Sequence, residues 1–527
     1  MSLVRSRVRV AVAAGLVTVA TSAVTIQNAA AQPTQSAVGV GRSGSPVVAT
    51  DAGVVRGATD ATTDRFQGIP YAAPPTGRHR WTPPRPVARW NGIRPATDLA
   101  PRCVQVSKAP TSEDCLYLNV YTPKGAAHRG KRLPVMVYIH GGALTSGTGG
   151  AYDPTKLVER GTVVVTINYR LGMLGFLAHP ALAARDGSAG NYGLMDQQAA
   201  LRWVQRNIGR FGGERGNVTV FGESAGGLSV LAQLASPGAA GLFSAAINQS
   251  GAYNLSLQTL ADAKAEGEAY GAAVGCTAQT AGCLRSLSPA ALLARQKAIL
   301  FLQTDGKILP RSLDRAFRSG AFHRVPVVNG TTHDESTYFV ATNYDLAGRR
   351  VTSDNYLDGI RQMASLSEDD AKRVADRYPL TDYPDPASAL AAVATDASFA
   401  CPALRLDAWL ARRVPTYAYE FNDRNAPQLY LGKVSFPYGA SHASELQYLF
   451  DVRNAVYPAP LSDEQQVLAA TMRRHWAAFA KTHRPAPGQW PAYTATRRQM
   501  MSYATPSTTL TSGFAADHKC GLWASLQ

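Results

Sequence analysis

Residues 221–226 read FGESAG, a serine with one glycine two positions before it and another two positions after it. The stretch ends an apolar run, Val218–Phe221, and begins a series of small and helix-forming residues from Ala225 to Leu234. At a sharp strand-to-helix turn, a side chain two positions from the serine would collide with the flanking strand or helix. The pattern predicts a turn that holds Ser224 exposed for chemistry, while the motif alone also fits an ordinary tight turn.

Around this motif, short apolar runs alternate with helical patterns. The runs predict six strands, at residues 134–139, 163–167, 218–221, 245–248, 325–328 and 417–421. Unbroken apolar strands are typical of a sheet covered on both faces, and helical periodicity recurs at residues 194–208 and 468–479. We therefore predict an α/β fold with a mostly parallel central sheet. Residues 255–320 and 340–410 lack strong strands, and we predict helical insertions over the carboxyl edge of the sheet.

A second glycine turn lies upstream, where YIHGGAL (138–144) follows a predicted strand. A serine hydroxyl needs a base to take its proton and donors to hold the oxyanion that forms. The main-chain N–H groups of Gly142 and Ala143 can supply two such donors, and that of Ala225 at the helix start a third. A plain strand-ending turn is the alternative, but two such turns in this order, each after a strand, favour acyl transfer by a serine nucleophile.

In both of these turns the sequence resembles the type B carboxylesterases, the α/β-hydrolase group that includes the cholinesterases and many secreted microbial esterases. Residues 211–226 match the long serine signature of that family and residues 113–123 its second signature. Family-like stretches also occur at residues 66–77, 168–178 and 190–208. The resemblance implies an α/β-hydrolase domain at 46–527 with helical insertions over the active site. It also implies hydrolysis of small-molecule carboxylic esters through an acyl-enzyme, with no cofactor and no metal.

The resemblance also assigns the partners of Ser224, which the residues alone leave open. From the residues alone, either Asp334 or Glu335 could be the acid, and the base could be any of 10 histidines. The resemblance implies a Glu335 acid and a His442 base, in the α/β-hydrolase order of nucleophile, acid and histidine. It further implies that Ser250 and Glu445 are polar neighbours of the triad. His140 is interpreted as part of the glycine turn, and His179, His333 and His475 as packed or solvated.

The first 31 residues have the layout of a cleaved secretory signal. Three arginines precede an apolar stretch from Val10 to Val24, and small residues end at Ala31. A membrane anchor is the alternative, but the stretch is shorter than the roughly 20 apolar residues that span a bilayer. We predict a signal at 1–31, a flexible leader at 32–45, secretion, and no stable membrane insertion after cleavage.

Secretion into an oxidising compartment makes the even number of cysteines, 6, suggestive of disulfides. The spacing suggests two local loops, Cys103 with Cys115 and Cys276 with Cys283, which leaves Cys401 with Cys520. All six match disulfide positions of the family, and the resemblance implies these same three pairs. It also implies a structural ion pair between Arg170 and Asp196.

The net charge of +16 is scattered singly along the chain, without basic runs, and does not favour nucleic-acid binding. The loop between the first two cysteines holds no tryptophan, which does not favour a cation–π choline site. Two other functions compete with ester hydrolysis: a cholinesterase-like binding module without catalysis, and the same triad acting on an amide, lactone or polyester. The sequence predicts no oligomeric state.

Overall fold

The computed structural model describes residues 44–296 and 302–526. The predicted signal sequence and nearly all of the predicted leader lie outside these residues. The described strands, in chain order, are β1 (Val47–Ala49), β2 (Val54–Arg56), β3 (Ala58–Thr59), β4 (Thr63–Pro70), β5 (Ile93–Pro95), β6 (Arg102–Cys103), β7 (Thr111–Ser112), β8 (Tyr117–Pro123), β9 (Leu133–Ile139), β10 (Tyr152–Asp153), β11 (Val163–Ile167), β12 (Gly213–Glu223), β13 (Ala245–Gln249), β14 (Val327–Thr332), β15 (Thr416–Phe421), β16 (Asp451–Val452), β17 (Met500–Tyr503) and β18 (Thr509–Thr511).

Helices connect most of the longer strands. In chain order they are α1 (Thr155–Val158), α2 (Gly172–Phe176), α3 (Tyr192–Asn207), α4 (Ala225–Ala235), α5 (Leu260–Ala273), α6 (Ala281–Ser286), α7 (Pro289–Leu293), α8 (Leu313–Ser319), α9 (Thr337–Asn343), α10 (Tyr356–Ala364), α11 (Glu368–Ala375), α12 (Pro386–Thr395), α13 (Cys401–Leu410), α14 (Leu446–Leu449), α15 (Asp463–Thr482), α16 (Phe514–Asp517) and α17 (Cys520–Ser525). A π-helical turn, Asp396–Ala400, joins α12 to α13.

One large sheet organises the molecule. Its 11 strands run in the order β18-β17-β15-β14-β13-β12-β9-β11-β8-β4-β3. The seven central strands from β17 to β11 are parallel, and antiparallel pairs form both edges. Each of the six predicted strands lies in or overlaps one of the parallel strands, so the prediction of a mostly parallel α/β sheet is confirmed. The strands β3, β4, β8 and β18 and the short strand β17 were not predicted.

Side chains of the central strands alternate between two cores. In β9, Val135 and Val137 face the core that contains α3 and α4, whereas Met136 and Tyr138 face the core that contains α15. This period of two follows from the pleat of a strand, and both faces need apolar residues because both are covered by helices. The apolar runs of the central strands are uninterrupted because both faces of the sheet are buried under helices.

Helix α15 shows how local sequence sets a boundary. The Ser462 hydroxyl accepts from the Gln465 N–H, and the Gln465 side chain accepts from the Ser462 N–H, so both donors at the helix start are satisfied. Leu468, Met472 and Phe479 then repeat at helical spacing and pack on the sheet. The predicted apolar face of this helix is therefore the buried one.

The two predicted helical insertions carry α5 to α8 and α9 to α13. Among the described residues, one continuous helical stretch, Pro386–Leu410, is long and apolar enough to cross a membrane, and 72% of its most apolar segment is buried in the protein. A helix buried to this extent is accounted for by packing in the core. The insertions bring α9 and the π-helical turn to the carboxyl end of the sheet, beside the site described below.

Three disulfides join the expected pairs, Cys103–Cys115, Cys276–Cys283 and Cys401–Cys520. The third connects α13 to α17 across 119 residues of chain. The predicted ion pair is also present and buried: Nε of Arg170 lies 2.7 Å from Oδ2 of Asp196, and Nη2 lies 2.8 Å from Oδ1. This ion pair joins the loop after β11, which carries Arg170, to helix α3, which carries Asp196.

Candidate active site

Ser224 lies at the junction between β12 and α4, as its sequence context predicts. Its backbone has φ 58° and ψ −125°, a conformation that an L-residue adopts only under constraint. The Ser224 N–H donates to the carbonyl of Gln249 at 2.9 Å, which fastens the turn to the neighbouring strand β13. The strained turn is the feature that directs the hydroxyl away from the sheet.

The two glycines of FGESAG have the steric role that the sequence suggests. A Cβ at Gly226 would lie 2.0 Å from the carbonyl oxygen of Ile139, at the end of β9. A Cβ at Gly222 would lie 2.6 Å from the same oxygen and from the backbone of Gly226. Neither position can accept a side chain unless the backbone of β9 or α4 moves.

The three residues that the family resemblance singled out form one hydrogen-bonded line. Nε2 of His442 lies 2.8 Å from Oγ of Ser224, and Nδ1 of the same ring lies 2.5 Å from Oε2 of Glu335. The three side chains come from positions up to 218 residues apart in the sequence. These hydrogen bonds form because β12 and β14 end at the same edge of the sheet, and the loop before α14 brings His442 to that edge.

Glu335 is held in place from its other side. Its Oε1 accepts from the Thr331 hydroxyl at 2.6 Å and from the Thr332 N–H at 2.9 Å, and the residue is fully buried. Burial alone raises the pKa of this carboxyl, but the neighbouring His442 ring and the hydrogen bonds outweigh it and hold the pKa below its usual value. Glu335 thus stays ionised and can orient the imidazole.

Asp334, the other acid that the residues alone left open, faces away from His442. Its Oδ2 accepts from the Ala440 N–H at 2.9 Å and lies 3.2 Å from Nε of Arg424. It supports the loop that carries His442 but does not touch the imidazole line. Geometry therefore favours Glu335 over Asp334 as the partner of His442.

The glycine turn that carries two of the three main-chain donors expected for an oxyanion packs against Ser224, and the third donor follows Ser224 in the chain. The backbone at Gly142 and Ala143 has φ of 103° and 54°, and a Cβ at the preceding Gly141 would lie 3.0 Å from Cβ of Ser224. Ala225 is the first residue of α4, where N–H groups have no intrahelical partner. Within residues 44–296 and 302–526, the N–H groups of Gly142, Ala143 and Ala225 donate to no other protein group. They are available to a ligand.

His140 belongs to the glycine turn, as interpreted from the sequence. It is buried, its ring stacks on Tyr169 with centroids 4.5 Å apart, and its carbonyl accepts from the Tyr169 hydroxyl at 2.8 Å. Burial lowers the pKa of this imidazole to about 4. The neutral ring therefore packs the turn.

Glu223 is a residue of the site that the sequence interpretation did not assign. Its Oε1 lies 3.4 Å from Nε2 of His442 and, among the described residues, accepts no hydrogen bond. Burial raises the pKa of Glu223 to about 7. Its place directly before the serine was the one available signal, but only the fold shows that the carboxylate faces the imidazole.

Two carboxylates decide the electrostatics of His442. Burial alone lowers the pKa of this imidazole, but Glu223 and Glu335 outweigh it and raise the pKa to about 9. A positive charge on the ring is therefore favoured. An imidazolium is the species that forms when the ring accepts a proton from a serine hydroxyl.

The two expected polar neighbours differ in what they contact. Ser250 follows β13, and its N–H donates to the Gly330 carbonyl at 2.8 Å; its buried hydroxyl lies beside Glu335 and helps to lower the pKa of that carboxyl. Glu445 is fully buried, and the Tyr419 hydroxyl lies 3.0 Å from both of its carboxyl oxygens. Burial raises the pKa of Glu445 to about 8. Glu445 is thus mostly protonated at neutral pH.

Aromatic rings form the walls beside His442. Phe339 of α9 and Phe399 of the π-helical turn stack with centroids 5.6 Å apart, and they lie 5.0 and 5.4 Å from the imidazole centroid. Tyr338 lies 6.0 Å from the same ring, and Tyr253 packs on Phe399 at 5.4 Å. Tyr338, Phe339 and Phe399 come from the second helical insertion and Tyr253 from the loop after β13, and no motif in the sequence pointed to them.

Comparison with known proteins identifies the family and the fold. A sequence model of the "Carboxylesterase family" matches residues 44–523. The chain is similar to the para-nitrobenzyl esterase of Bacillus subtilis (strain 168), with 36% identity over 477 residues that cover 85% of this chain and 92% of the relative. It is also similar to the cocaine esterase of Oryctolagus cuniculus, with 33% identity over 507 residues that cover 88% of this chain and 93% of the relative. A solved structure of a PNB esterase matches with a TM-score of 0.77 and 33% identity, over 90% of this chain and 99% of that chain.

Proposed function

The chain belongs to the carboxylesterase family, has the α/β-hydrolase fold and is a carboxylic ester hydrolase, and on that basis we propose that it is a secreted serine esterase with Ser224, His442 and Glu335 as its catalytic triad. The observation that carries the proposal is the line of hydrogen bonds from Oγ of Ser224 through both nitrogens of His442 to Glu335. A nucleophile, a base and an orienting carboxylate within hydrogen-bond reach are what acyl transfer by serine requires.

The first half-reaction follows from these contacts. Neutral His442 accepts the Ser224 proton at Nε2 while Oγ attacks the ester carbonyl carbon, and Glu335 stabilises the imidazolium through Nδ1–H. The carbonyl oxygen becomes an oxyanion that accepts from the N–H groups of Gly142, Ala143 and Ala225. The imidazolium then donates its proton to the alcohol oxygen, which leaves, and the acyl group remains on Ser224.

The second half-reaction uses the same groups in the same order. His442 takes a proton from a water molecule, which attacks the acyl carbon, and the same three N–H groups hold the second oxyanion. The imidazolium returns its proton to Oγ of Ser224 as the carboxylic acid leaves. Every proton transfer passes through Nε2 of His442, so each turnover begins and ends with a neutral imidazole.

Replacement of the nucleophile tests this proposal. We expect Ser224→Ala to fold normally and to lose about 10⁴-fold or more in kcat for para-nitrophenyl acetate, since the oxyanion donors alone supply only residual catalysis. Ser319→Ala is the matched control, because that exposed hydroxyl caps its own helix and lies outside the site. Wild-type turnover in Ser224→Ala, with a native circular dichroism spectrum, would remove Ser224 from the mechanism.

The aromatic walls support a narrower substrate class. We propose that the enzyme prefers esters with an aromatic acyl or alcohol group, because Phe339, Phe399 and Tyr253 offer ring faces next to the reacting atoms. Benzyl acetate should show a higher kcat/KM than cyclohexylmethyl acetate, and Phe399→Leu should reduce the ratio between them. Equal kcat/KM values in the wild type would contradict the preference.

Secretion is the remaining part of the proposal. The three disulfides support it, because such bonds persist in oxidising compartments. The proposed division of the chain is a signal at 1–31, a leader at 32–45 and the hydrolase domain at 46–527. Mass spectrometry of the mature enzyme from the culture medium should find Gln32 at the amino terminus. Retention in the cell with residues 1–31 intact would contradict secretion.

A further inference from the structure

A second cluster of chemically active side chains lies behind the loops that carry Glu335 and His442. His333, directly after β14, Glu420 of β15 and His518, directly after α16, present one ligand atom each, and these atoms lie within 4.8 Å of one another. Glu420 and His518 are buried, with 5% and 3% of their side-chain surface exposed, whereas the His333 side chain is 23% exposed. Three segments that are distant in the sequence thus converge on one point.

Each histidine of this cluster has a carboxylate at Nδ1. Nδ1 of His518 lies 2.5 Å from Oδ1 of Asp396, and Nδ1 of His333 lies 3.1 Å from Oδ1 of Asp334. Asp396 is itself oriented by the Tyr378 hydroxyl, which donates to Oδ2 at 2.7 Å. A carboxylate at Nδ1 fixes the tautomer that leaves Nε2 free to bind a metal, and metal-ligating histidines nearly always have such a partner.

Two of the three ligand atoms, those of His518 and Glu420, already lie close together. Nε2 of His518 lies 2.8 Å from Oε1 of Glu420, so the imidazole and the carboxylate already face one another. Ligands at about 2.0–2.2 Å from a metal ion can be at most about 4.4 Å apart. In the tetrahedral arrangement that Zn²⁺ prefers, such ligands lie about 3.3–3.6 Å apart. Closing the site from 4.8 Å therefore needs a shift of roughly 1.3 Å, which the partly exposed His333 can make.

We propose that His333, Glu420 and His518 form a binding site for a divalent transition-metal ion of the zinc class. Two imidazoles and one carboxylate suit Zn²⁺ better than Ca²⁺ or Mg²⁺, which prefer ligand sets made only of oxygen. On binding, the metal replaces the proton between Nε2 of His518 and Glu420, and that proton leaves to solvent. The ion would tie the end of β14 to β15 and to the carboxyl-terminal segment.

An entry route and a competing cation are both present. A cavity of about 480 Å³ is lined by His333, Asp396, Arg424, His518 and Lys519, among others. Nη2 of Arg424 lies 2.9 Å from both Nδ1 and Nε2 of His333, over the ring, where its positive charge opposes a metal ion at that imidazole. Because 55% of the Arg424 side chain is exposed, the guanidinium can move into solvent when an ion enters. Arg424 therefore opposes binding.

Calorimetric titration of the chelator-treated, full-length enzyme with ZnCl₂ tests the site. We expect about one ion per chain in the wild type and a higher melting temperature with Zn²⁺. His333→Ala should weaken binding by about tenfold or more, and His128→Ala, which removes an exposed histidine in a turn, should bind as the wild type does. Arg424→Gln should bind more tightly, because it removes the competing cation.

The same titration can overturn the proposal. If the wild type takes up no Zn²⁺, or if His333→Ala binds as tightly as the wild type, these residues do not form a metal site. Weaker binding in Arg424→Gln would also overturn it, since the guanidinium would then support the site. Cobalt offers a spectroscopic check independent of esterase activity: Co²⁺ should give the visible absorption of a low-coordinate site in the wild type, and His333→Ala should lose it.

Discussion

At the scale of single residues, Glu223 helps to set the pH dependence expected of the reaction. Its carboxylate lies 3.4 Å from Nε2 of His442, and together with Glu335 it raises the pKa of that imidazole to about 9 against the opposing effect of burial. Only the neutral imidazole can accept the Ser224 proton. The kcat/KM should therefore fall as pH decreases through this pKa, with a midpoint above the 6.5 of an unperturbed histidine.

Removal of the Glu223 charge should move this acid limb to lower pH. In Glu223→Gln the imidazolium loses one stabilising anion, so the pKa of His442 falls and the midpoint of kcat/KM should drop by about one unit or more. Glu464→Gln, which neutralises an exposed glutamate at the start of α15, is the control and should leave the profile unchanged. A midpoint that stays in place in Glu223→Gln, or one below pH 6 in the wild type, would contradict this electrostatic account.

The choice between adjacent carboxylates is also a matter of single residues. Glu335→Gln should lower kcat by about 10³–10⁴-fold, because the amide cannot stabilise the imidazolium and favours the wrong tautomer. Asp334→Asn should stay within about tenfold of the wild type, since Asp334 contacts His333, Ala440 and Arg424 and not the imidazole of His442. Steady-state kinetics of these two variants shows which carboxylate orients His442. A greater loss of kcat in Asp334→Asn than in Glu335→Gln would assign that role to Asp334.

At the scale of elements, the strand-to-helix turn is the part that tolerates least change. In Gly226→Ala the new Cβ would lie 2.0 Å from the Ile139 carbonyl, so β9 and α4 must separate and Ser224 must move. We expect the free energy of unfolding to fall by about 2 kcal/mol and kcat/KM to fall with it.

The control for this prediction is Gly282→Ala in α6, where a Cβ would meet no atom within 4 Å. Its free energy of unfolding should be unchanged or raised by up to about 1 kcal/mol, because alanine favours a helix. Urea unfolding of both variants makes the comparison. Equal stability of Gly226→Ala and the wild type would show that the turn can relax.

How far the sequence predicts these elements depends on their burial. The central strands β9 and β11 were predictable because helices cover both faces and nearly every residue is apolar. The antiparallel strand β4 mixes Asp64, Arg65 and Gln67 with apolar residues, so it carries no uniform pattern. Helices α3 and α15 were predictable from their repeating apolar faces.

The site was predictable only in part, for a related reason. Ser224 and its glycines act through local sterics, which a short motif records. His442 acts through a contact with a residue 218 positions away, which no local pattern records, and only the family resemblance identified it. Glu223 and Phe399 matter because of what the fold brings near them, so residue type alone could not reveal their proximity to the imidazole.

At the scale of the whole molecule, the disulfides should contribute unequally to stability. Loss of Cys401–Cys520, with a sequence separation of 119, should lower the free energy of unfolding by about 5 kcal/mol in the chain-entropy account. Loss of Cys276–Cys283, with a separation of 7, should lower it by about 2 kcal/mol. Denaturant unfolding of the two double alanine variants tests the order. A larger loss for the short loop would contradict it.

The central claim is that Ser224 is the nucleophile and that the sheet positions it in hydrogen-bond contact with His442, which in turn contacts Glu335. Intact-protein and peptide mass spectrometry after treatment with a fluorophosphonate reagent tests this claim most directly. We predict one adduct per chain, on the peptide that contains Ser224, with labelling strongly slowed in His442→Ala. An unmodified Ser224, or equally fast labelling without His442, would contradict the account.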